Sequence, residues 1–178
     1  MTIALRNTKI FGRVSELKIL RDAYDRVSQT GFGEIVLIGA PSGYGKTTLV
    51  NAFIAENSVY HAVGKADEAL RGVPYSAILK ALSDFVSPET ISDLTTLRDD
   101  SSVTSPARVR DRFASAIQSS ARSTNPLVLF IDDLQWLDES SSQLIRSFAE
   151  RGFRDMLIVG TYRSDTTSDF HENGLARI

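Results

Sequence analysis

Residues 34–48 read EIVLIGAPSGYGKTT, an apolar run followed by a glycine-rich turn and then Lys-Thr-Thr. The run over residues 34–38 has the composition of a buried strand. Apolar residues at helical spacing come next and predict an amphipathic helix (Leu49, Val50, Phe53 and Ile54). A strand, a glycine-rich turn and a helix in this order predict a loop that binds phosphate.

The glycines and the helix explain why such a loop binds an anion. Gly43 and Gly45 let the backbone curl so that successive N–H groups point at one centre, and the helix N-terminus adds partial positive charge. We expect Lys46 to reach the β- and γ-phosphates of a nucleotide and the Thr47 hydroxyl to bind Mg²⁺. Ala40 stands where such loops usually have their first glycine, and alanine is an accepted variant at that position. The predicted nucleotide contacts in the loop are Ser42, Gly43, Tyr44, Gly45, Lys46, Thr47 and Thr48. The alternative is a glycine-rich turn without a ligand.

Length and composition limit the class of protein. The chain has 178 residues, a net charge of −2 and no cysteine. This length predicts one domain over residues 1–178, and the charge balance gives no basic footprint for nucleic acid. Its apolar runs fall short of the roughly 20 residues of a membrane helix, and without cysteine there are no disulfides or thiolate sites. We therefore expect a cytoplasmic protein that binds neither membranes nor, directly, nucleic acid.

Strands and helices alternate along the chain. Strands are predicted over residues 34–38, 59–63, 126–131 and 156–160. Helices are predicted over residues 14–28, 46–56, 74–86, 107–121 and 139–150. Residues 87–106, rich in Ser, Thr and Asp, indicate a polar surface insertion with one helical turn around Ile91, Leu94 and Leu97. The alternation predicts an α/β fold with a mainly parallel sheet. Together with the phosphate-binding loop, it indicates a three-layer α/β/α P-loop NTPase.

Polar residues follow three of the strands at their carboxyl ends, where ligands bind in parallel sheets. Besides the loop, these are Asp132 and Asp133 after the third strand and Thr161-Tyr162-Arg163 at the end of the fourth. We expect Asp132 to bind Mg²⁺ through water and Asp133 to polarise the attacking water. Aspartate is one methylene shorter than the glutamate of many P-loop ATPases, so slow hydrolysis is expected. Arg163 would read the γ-phosphate and distinguish ATP from ADP. The predicted catalytic residues are Lys46, Asp133 and Arg163.

Structural roles are the alternative for these residues. Asp132 and Asp133 could instead cap the next helix, and Arg163 could pair with a surface carboxylate such as Asp165. Other polar and aromatic residues near the strand ends are weighed in the same way. Lys65 and Asp67 could approach the site or form a solvated ion pair, Trp136 and Leu137 are predicted to pack, and Asp138 is predicted to cap a helix.

Several motifs together resemble one family. They are Phe11-Gly12-Arg13 with Glu16, the loop at 40–47, the string DDLQWLD at 132–138 and GTYR at 160–163. The combination is similar to the AAA-type ATPase domain of STAND proteins, the signal-transduction ATPases with numerous domains. GKAD at 64–67 with VPYS at 73–76 resembles the ATPase module of bacterial Ser/Thr-kinase–histidine-kinase hybrids. Related modules occur in LuxR-type regulators and adenylate cyclases.

The resemblance implies further roles. Phe11, Gly12 and Arg13 would lie against adenine, and Arg163 would be the first sensor. ATP or ADP with Mg²⁺ would be the ligands, and the domain would act as a nucleotide switch among other domains or proteins of a signalling system. Ala66 departs from the aromatic residue that kinase-linked relatives often carry.

The tail departs from the family pattern. Relatives continue past the fourth strand with a helix, a fifth strand beside the first and a helical lid, whereas residues 164–178 contain no apolar strand-like run. The expectation is a core without the fifth strand and lid, either truncated or a fragment. The first strand would then be an exposed edge open to self-association, unless residues 2–5 cover it. Nucleotide affinity and turnover would both be reduced.

These features favour an Mg-ATP-binding regulatory ATPase module with slow or no hydrolysis. A degenerate, non-enzymatic nucleotide-binding scaffold or truncated partner chain is the alternative. A P-loop kinase is a further alternative, although such kinases usually bring a basic lid and a substrate carboxylate that this sequence does not show.

Overall fold

The computed structural model describes residues 12–99, 105–120, 125–165 and 176–177. Its strands are β1 (Glu34–Ala40), β2 (His61–Lys65), β3 (Leu127–Asp132), β4 (Met156–Arg163) and β5 (Ala176–Arg177). Its α-helices are α1 (Val14–Thr30), α2 (Lys46–Asn57), α3 (Ser76–Leu82), α4 (Pro88–Asp99), α5 (Pro106–Ser120) and α6 (Glu139–Arg151). Short 3₁₀ turns cover Glu68–Leu70 and Leu134–Trp136.

The strands form one sheet in the order β2-β3-β4-β1-β5, and every neighbouring pair is parallel. Parallel neighbours need crossover connections, which the helices between the strands supply. The predicted α/β class with a parallel sheet is confirmed. This order places β1, β3 and β4 side by side, so that their carboxyl ends share one edge of the sheet.

Alternate residues of the central strands pack on opposite faces of the sheet. In β1, Ile35 and Leu37 belong to one apolar cluster, and Val36 and Ile38 belong to the other. The first cluster also contains residues of α3 to α6, and the second contains residues of α1 and α2. Because both faces are covered, these strands are apolar throughout, and the three layers follow from the two-residue period.

The strand β2 begins two residues later than predicted and includes Gly64 and Lys65. A Cβ on Gly64 would lie 2.4 Å from the backbone oxygen of Ala77 in α3, so a larger residue would force the helix away. Glycine and lysine are poor strand formers, which is why the apolar pattern placed the strand too early. At the other ends, β1 and β4 run on to Ala40 and Arg163.

The segment after α3 differs from its prediction. Instead of one helical turn, α4 spans 12 residues from Pro88 to Asp99. Leu94 is buried, with 2% of its surface exposed, and Ile91 packs against the same core cluster. Ile91 and Leu94 are three residues apart and lie on one side of a polar helix, and burying that side stabilises the helix more than its composition suggests.

The prediction of a bare edge at β1 is wrong at two positions. Ala176 and Arg177 pair with Val36 and Leu37, on the side of β1 away from β4. The paired segment has only two residues, whereas β1 to β4 have five to eight. Two residues are too few to carry a strand pattern in the sequence. Residues 2–5, proposed as an alternative cover, lie outside the described residues.

A buried carboxylate joins α6 to the turn before α3. Asp138 is 2% exposed and accepts hydrogen bonds from the backbone N–H of Ser141 (2.8 Å), the Ser141 hydroxyl (2.7 Å) and the backbone N–H of Tyr75 (3.0 Å). The prediction that Asp138 caps the helix is therefore confirmed, with a tertiary contact added.

Across the described ranges, each helix is too short or too polar to span a membrane.

We expect Asp138→Ala to lower the free energy of unfolding by roughly 2–4 kcal/mol, because three donors lose a buried acceptor. Urea unfolding followed by circular dichroism measures the change. Asp67→Ala is the matched control, since Asp67 caps the exposed 3₁₀ turn at Glu68–Leu70 through one bond to the Ala69 N–H. Asp67→Ala should lower the free energy of unfolding by about 1 kcal/mol or less. Equal losses of stability in the two variants would contradict the role of Asp138 as a buried acceptor.

Candidate functional site

The loop between β1 and α2 has the backbone of an anion-binding turn. Gly43 and Gly45 adopt left-handed conformations, with φ of 80° and 75°, that side chains with a Cβ rarely tolerate. Gly45 is also the residue that precedes α2, and no described side chain caps the first turn of this helix. The N–H groups of that turn thus keep their capacity to bind an anion at the positive end of the helix.

Lys46 lies across the start of the loop. Its ammonium donates hydrogen bonds to the backbone oxygens of Ala40 (2.7 Å) and Pro41 (3.0 Å). The side chain of the first residue of α2 therefore bends back over the end of β1. This brings a positive charge to the same turn as the uncapped N–H groups, as the sequence predicts for a phosphate site.

A contact between Thr47 and Asp132 joins the loop to the tip of β3. The Thr47 hydroxyl lies 3.0 Å from both carboxylate oxygens of Asp132, and the Thr161 hydroxyl donates to the same carboxylate from β4. Asp132 is only 7% exposed. Its carboxylate accepts hydrogen bonds from these two hydroxyls and does not cap a helix. A hydroxyl and a carboxylate side by side are hard oxygen donors of the kind that Mg²⁺ prefers, so the donor set fits this ion.

Asp133 has a left-handed backbone, with φ of 60° and ψ of 49°. Its carboxylate makes no capping bond to the following 3₁₀ turn, so the capping alternative is wrong here. Instead, Oδ2 lies 3.3 Å from the Lys65 ammonium, and Oδ1 accepts a hydrogen bond of 3.0 Å from the Gln135 side-chain amide. The carboxylate is thus held between two donors beside the tip of β3.

Arg163 ends β4 next to the loop. Its backbone is in register with Ala40, and the following N–H, of Ser164, donates to the Ala40 oxygen at 3.4 Å. The Arg163 N–H itself donates to the side-chain oxygen of Gln135 at 3.2 Å. The structure therefore brings the backbones of Arg163 and the loop together, as the parallel register predicts.

Two polar residues of the site were given no role of their own from the sequence. Thr161 bonds the Asp132 carboxylate and accepts from the Asp133 N–H at 3.1 Å, and Gln135 contacts both Asp133 and Arg163. A lone amide within the otherwise apolar string 134–137 was the available signal for Gln135. The other residues of this string have packing roles. Leu134 and Leu137 are buried and Trp136 packs on the core, which confirms the prediction for Trp136 and Leu137.

The start of α1 contacts the loop through Arg13. One guanidinium nitrogen pairs with Glu16 at 2.7 Å, and another donates to the Tyr44 oxygen at 3.0 Å. The hydrogen bonds from Arg13, and then Ser15, lower the pKa of Glu16 from 4.5 to about 2. Gly12 adopts a positive φ of 80° before the helix. Phe11 lies outside the described residues, so the adenine contact expected of this segment stays a prediction.

Lys65 and Asp67 take separate places. Lys65 approaches Asp133, although its side chain is 66% exposed, whereas Asp67 caps the 3₁₀ turn through Ala69. The pair does not form one solvated ion pair of the kind considered from the sequence. Of the two, only Lys65 lies at the candidate site.

A parallel sheet with a glycine-rich loop between β1 and α2, and carboxylates at the tip of β3, defines the P-loop NTPase class. Residues 9–159 match the AAA ATPase domain, and the chain belongs to this family. Members of the family bind nucleotide, usually with Mg²⁺.

One curated relative and two solved structures are similar to this chain. The chain is 31% identical over 181 residues to hybrid signal transduction histidine kinase G of Dictyostelium discoideum, covering 81% of this chain and 5% of that protein. A structure of Drosophila ORC bound to DNA shares the fold, with a TM-score of 0.55 and 18% identity over 94% of this chain and 42% of that one. A mutant of Thermotoga maritima RuvB aligns with a TM-score of 0.48 and 19% identity, over 95% of this chain and 46% of that one. The chain thus spans less than half of each of these proteins.

The Arg13–Glu16 pair should make stability depend on pH at the acid end. Because the pKa of Glu16 is lower in the folded state, about 2 against 4.5, its stabilisation is present above pH 4.5 and is lost as pH falls through 2. Melting temperatures of the wild type and Glu16→Gln should differ most near neutral pH and converge between pH 4.5 and 2. Glu150→Gln, at an exposed position of α6, controls for loss of one charge. A difference that persists undiminished down to pH 2 would contradict this assignment.

Proposed function

We propose that this domain binds Mg-ATP and acts as a nucleotide-dependent regulatory module with slow hydrolysis. The observation that carries the proposal is the contact of the Thr47 hydroxyl with both oxygens of Asp132 at 3.0 Å. It unites the loop that would bind phosphate with the carboxylate that would face the metal. A phosphate loop alone would support nucleotide binding of any kind, whereas this pairing supports a metal–nucleotide complex.

The nucleotide would be bound at the loop. The N–H groups of residues 42–48 would contact the phosphates, and Lys46 would exchange its carbonyl partners for phosphate oxygens. Thr47 and Asp132 would hold Mg²⁺, which when bound neutralises phosphate charge. Gly12 and Arg13, with Phe11, would lie beside the base, and the Arg13 bond to the Tyr44 oxygen supports a place next to the loop.

Slow hydrolysis follows from the state of Asp133. Its short side chain is engaged by Lys65 and Gln135, so it has to leave or share these donors before it can polarise a water. The left-handed backbone explains the residue type, because aspartate tolerates this conformation better than a longer side chain does. An unfavourable backbone for glutamate thus limits the reach of the carboxylate.

A regulatory role is supported by the relative and by Arg163. The match to a hybrid signal transduction histidine kinase covers only 5% of that protein, so one domain of a larger signalling chain is the natural setting. Arg163 lies beside Ala40 at the start of the loop, where a guanidinium would read the γ-phosphate. Binding of ATP rather than ADP would then alter the strand tip that other domains or proteins sense.

Lys46→Ala should weaken Mg-ATP binding about 100-fold, since a charge-assisted contact to phosphate is worth roughly 3 kcal/mol. Isothermal titration calorimetry with and without Mg²⁺ measures the loss. Lys80→Ala, at an exposed position of α3, is the matched control and should bind as the wild type does. Tight binding by the wild type that survives Lys46→Ala would overturn the proposal.

Asp133→Glu should raise the rate of phosphate release about threefold or more, because the longer carboxylate reaches further toward an attacking water. The same change should lower the melting temperature slightly, since glutamate adopts the left-handed conformation less favourably than aspartate does. Phosphate release at saturating Mg-ATP measures the rate. Asp133→Asn, which keeps the size and removes the charge, should lower it, and a rate that is the same in all three proteins would contradict the role of Asp133.

A further inference from the structure

Gln135 is a buried amide whose two ends contact two different parts of the site. It is 7% exposed, its NH₂ group donates to Asp133 Oδ1 at 3.0 Å, and its oxygen accepts from the Arg163 N–H at 3.2 Å. Asp133 lies two residues earlier, at the start of the same 3₁₀ turn, whereas Arg163 lies 28 residues later at the end of β4. The side chain therefore spans the tips of β3 and β4, where the candidate water-polarising carboxylate and the candidate sensor are found.

The amide continues the sheet where β3 has ended. The last register pair between β3 and β4 joins Ile131 to Gly160, and β4 continues for three more residues, Thr161, Tyr162 and Arg163. On its other side β4 remains paired with β1 as far as Ala40 and Arg163. The Gln135 oxygen thus supplies an acceptor to the Arg163 N–H beyond the end of the β3 ladder, as a backbone carbonyl would in a longer strand.

We propose that Gln135 is a positioning residue that sets the preference of the site for ATP over ADP by holding the backbone of Arg163 beside the loop. This inference rests on the proposed function, in which Arg163 reads the γ-phosphate. Loss of the Gln135 oxygen removes the acceptor of the part-buried Arg163 N–H, and the strand end then shifts to find another. The loop and Lys46, which bind the phosphates common to ATP and ADP, are not touched by this change.

The test is the ratio of ATP to ADP affinity in the wild type and in Gln135→Met, measured by calorimetry with Mg²⁺. Methionine keeps the length and apolar volume and removes both hydrogen bonds. We expect ADP affinity within about twofold of the wild type and an ATP-to-ADP ratio that falls about fivefold. Gln143→Met is the matched control. Gln143 lies on α6, away from the site, and its side-chain amide donates a hydrogen bond of 3.0 Å to Glu139.

A double-mutant cycle with Arg163→Ala separates positioning from general damage. If Gln135 acts through Arg163, adding Gln135→Met to Arg163→Ala lowers the ratio no further, whereas independent effects would add. Should Gln135→Met fail to fold by thermal melting, Gln135→Asn takes its place, since its amide is one methylene too short to span both partners. A folded variant that keeps the wild-type ratio, or additive effects in the cycle, would overturn the inference.

The two proposals fail in different ways. Absence of Mg-ATP binding by the wild type, or equal affinity for ATP and ADP, would overturn the sensor role and this inference together. A wild type that prefers ATP, loses that preference in Arg163→Ala and keeps it in the Gln135 variants would overturn the inference alone. Equal losses of ATP and ADP affinity in Gln135→Met would likewise show that Gln135 only supports the fold of the loop.

Discussion

The contact between Thr47 and Asp132 depends on almost every other feature of the fold. The two residues are 85 positions apart, and they meet because β1 and β3 flank β4 in one parallel sheet. Parallel pairing brings the carboxyl ends of the three strands to one edge. Burial of Asp132 then makes its hydrogen bonds obligatory, since a carboxylate that is 7% exposed has little water to replace Thr47 and Thr161. The contact is thus both a consequence of the sheet and a constraint on it.

Behind this edge, close packing keeps the strands and helices in place. A Cβ on Gly160 would lie 2.4 Å from Leu134, and one on Gly39 would lie 2.4 Å from the Tyr162 ring. These glycines sit within strands, where they would otherwise weaken the sheet, so their role is close approach of neighbouring groups. Leu134 belongs to the same turn as Gln135, and Tyr162 precedes Arg163. The packing that excludes a Cβ therefore also positions the polar groups of the site.

The sequence was most informative where one local pattern decides the structure. Apolar runs predicted β1, β3 and β4, and the glycine-lysine-threonine turn predicted the loop and its helix. It was least informative where structure depends on a distant partner. The length of α4 depends on burial of Leu94 against the core, and pairing of Ala176 and Arg177 depends on β1. The α4 segment carries only the short apolar period of Ile91, Leu94 and Leu97, and the two residues 176–177 carry none.

The same division applies to the site. Residue type and place after a strand were enough to nominate Lys46, Thr47, Asp132, Asp133 and Arg163, because parallel strands present such residues at a common edge. The sequence by itself determined the chemistry available there: an ammonium, a hydroxyl, two carboxylates and a guanidinium. Only the tertiary structure decided which groups pair. Asp132 accepts hydrogen bonds from Thr47 and Thr161, whereas Asp133 pairs with Lys65 and accepts a hydrogen bond from Gln135. Partners of this kind are chosen by distance across strands, and that distance exists only once the sheet has formed.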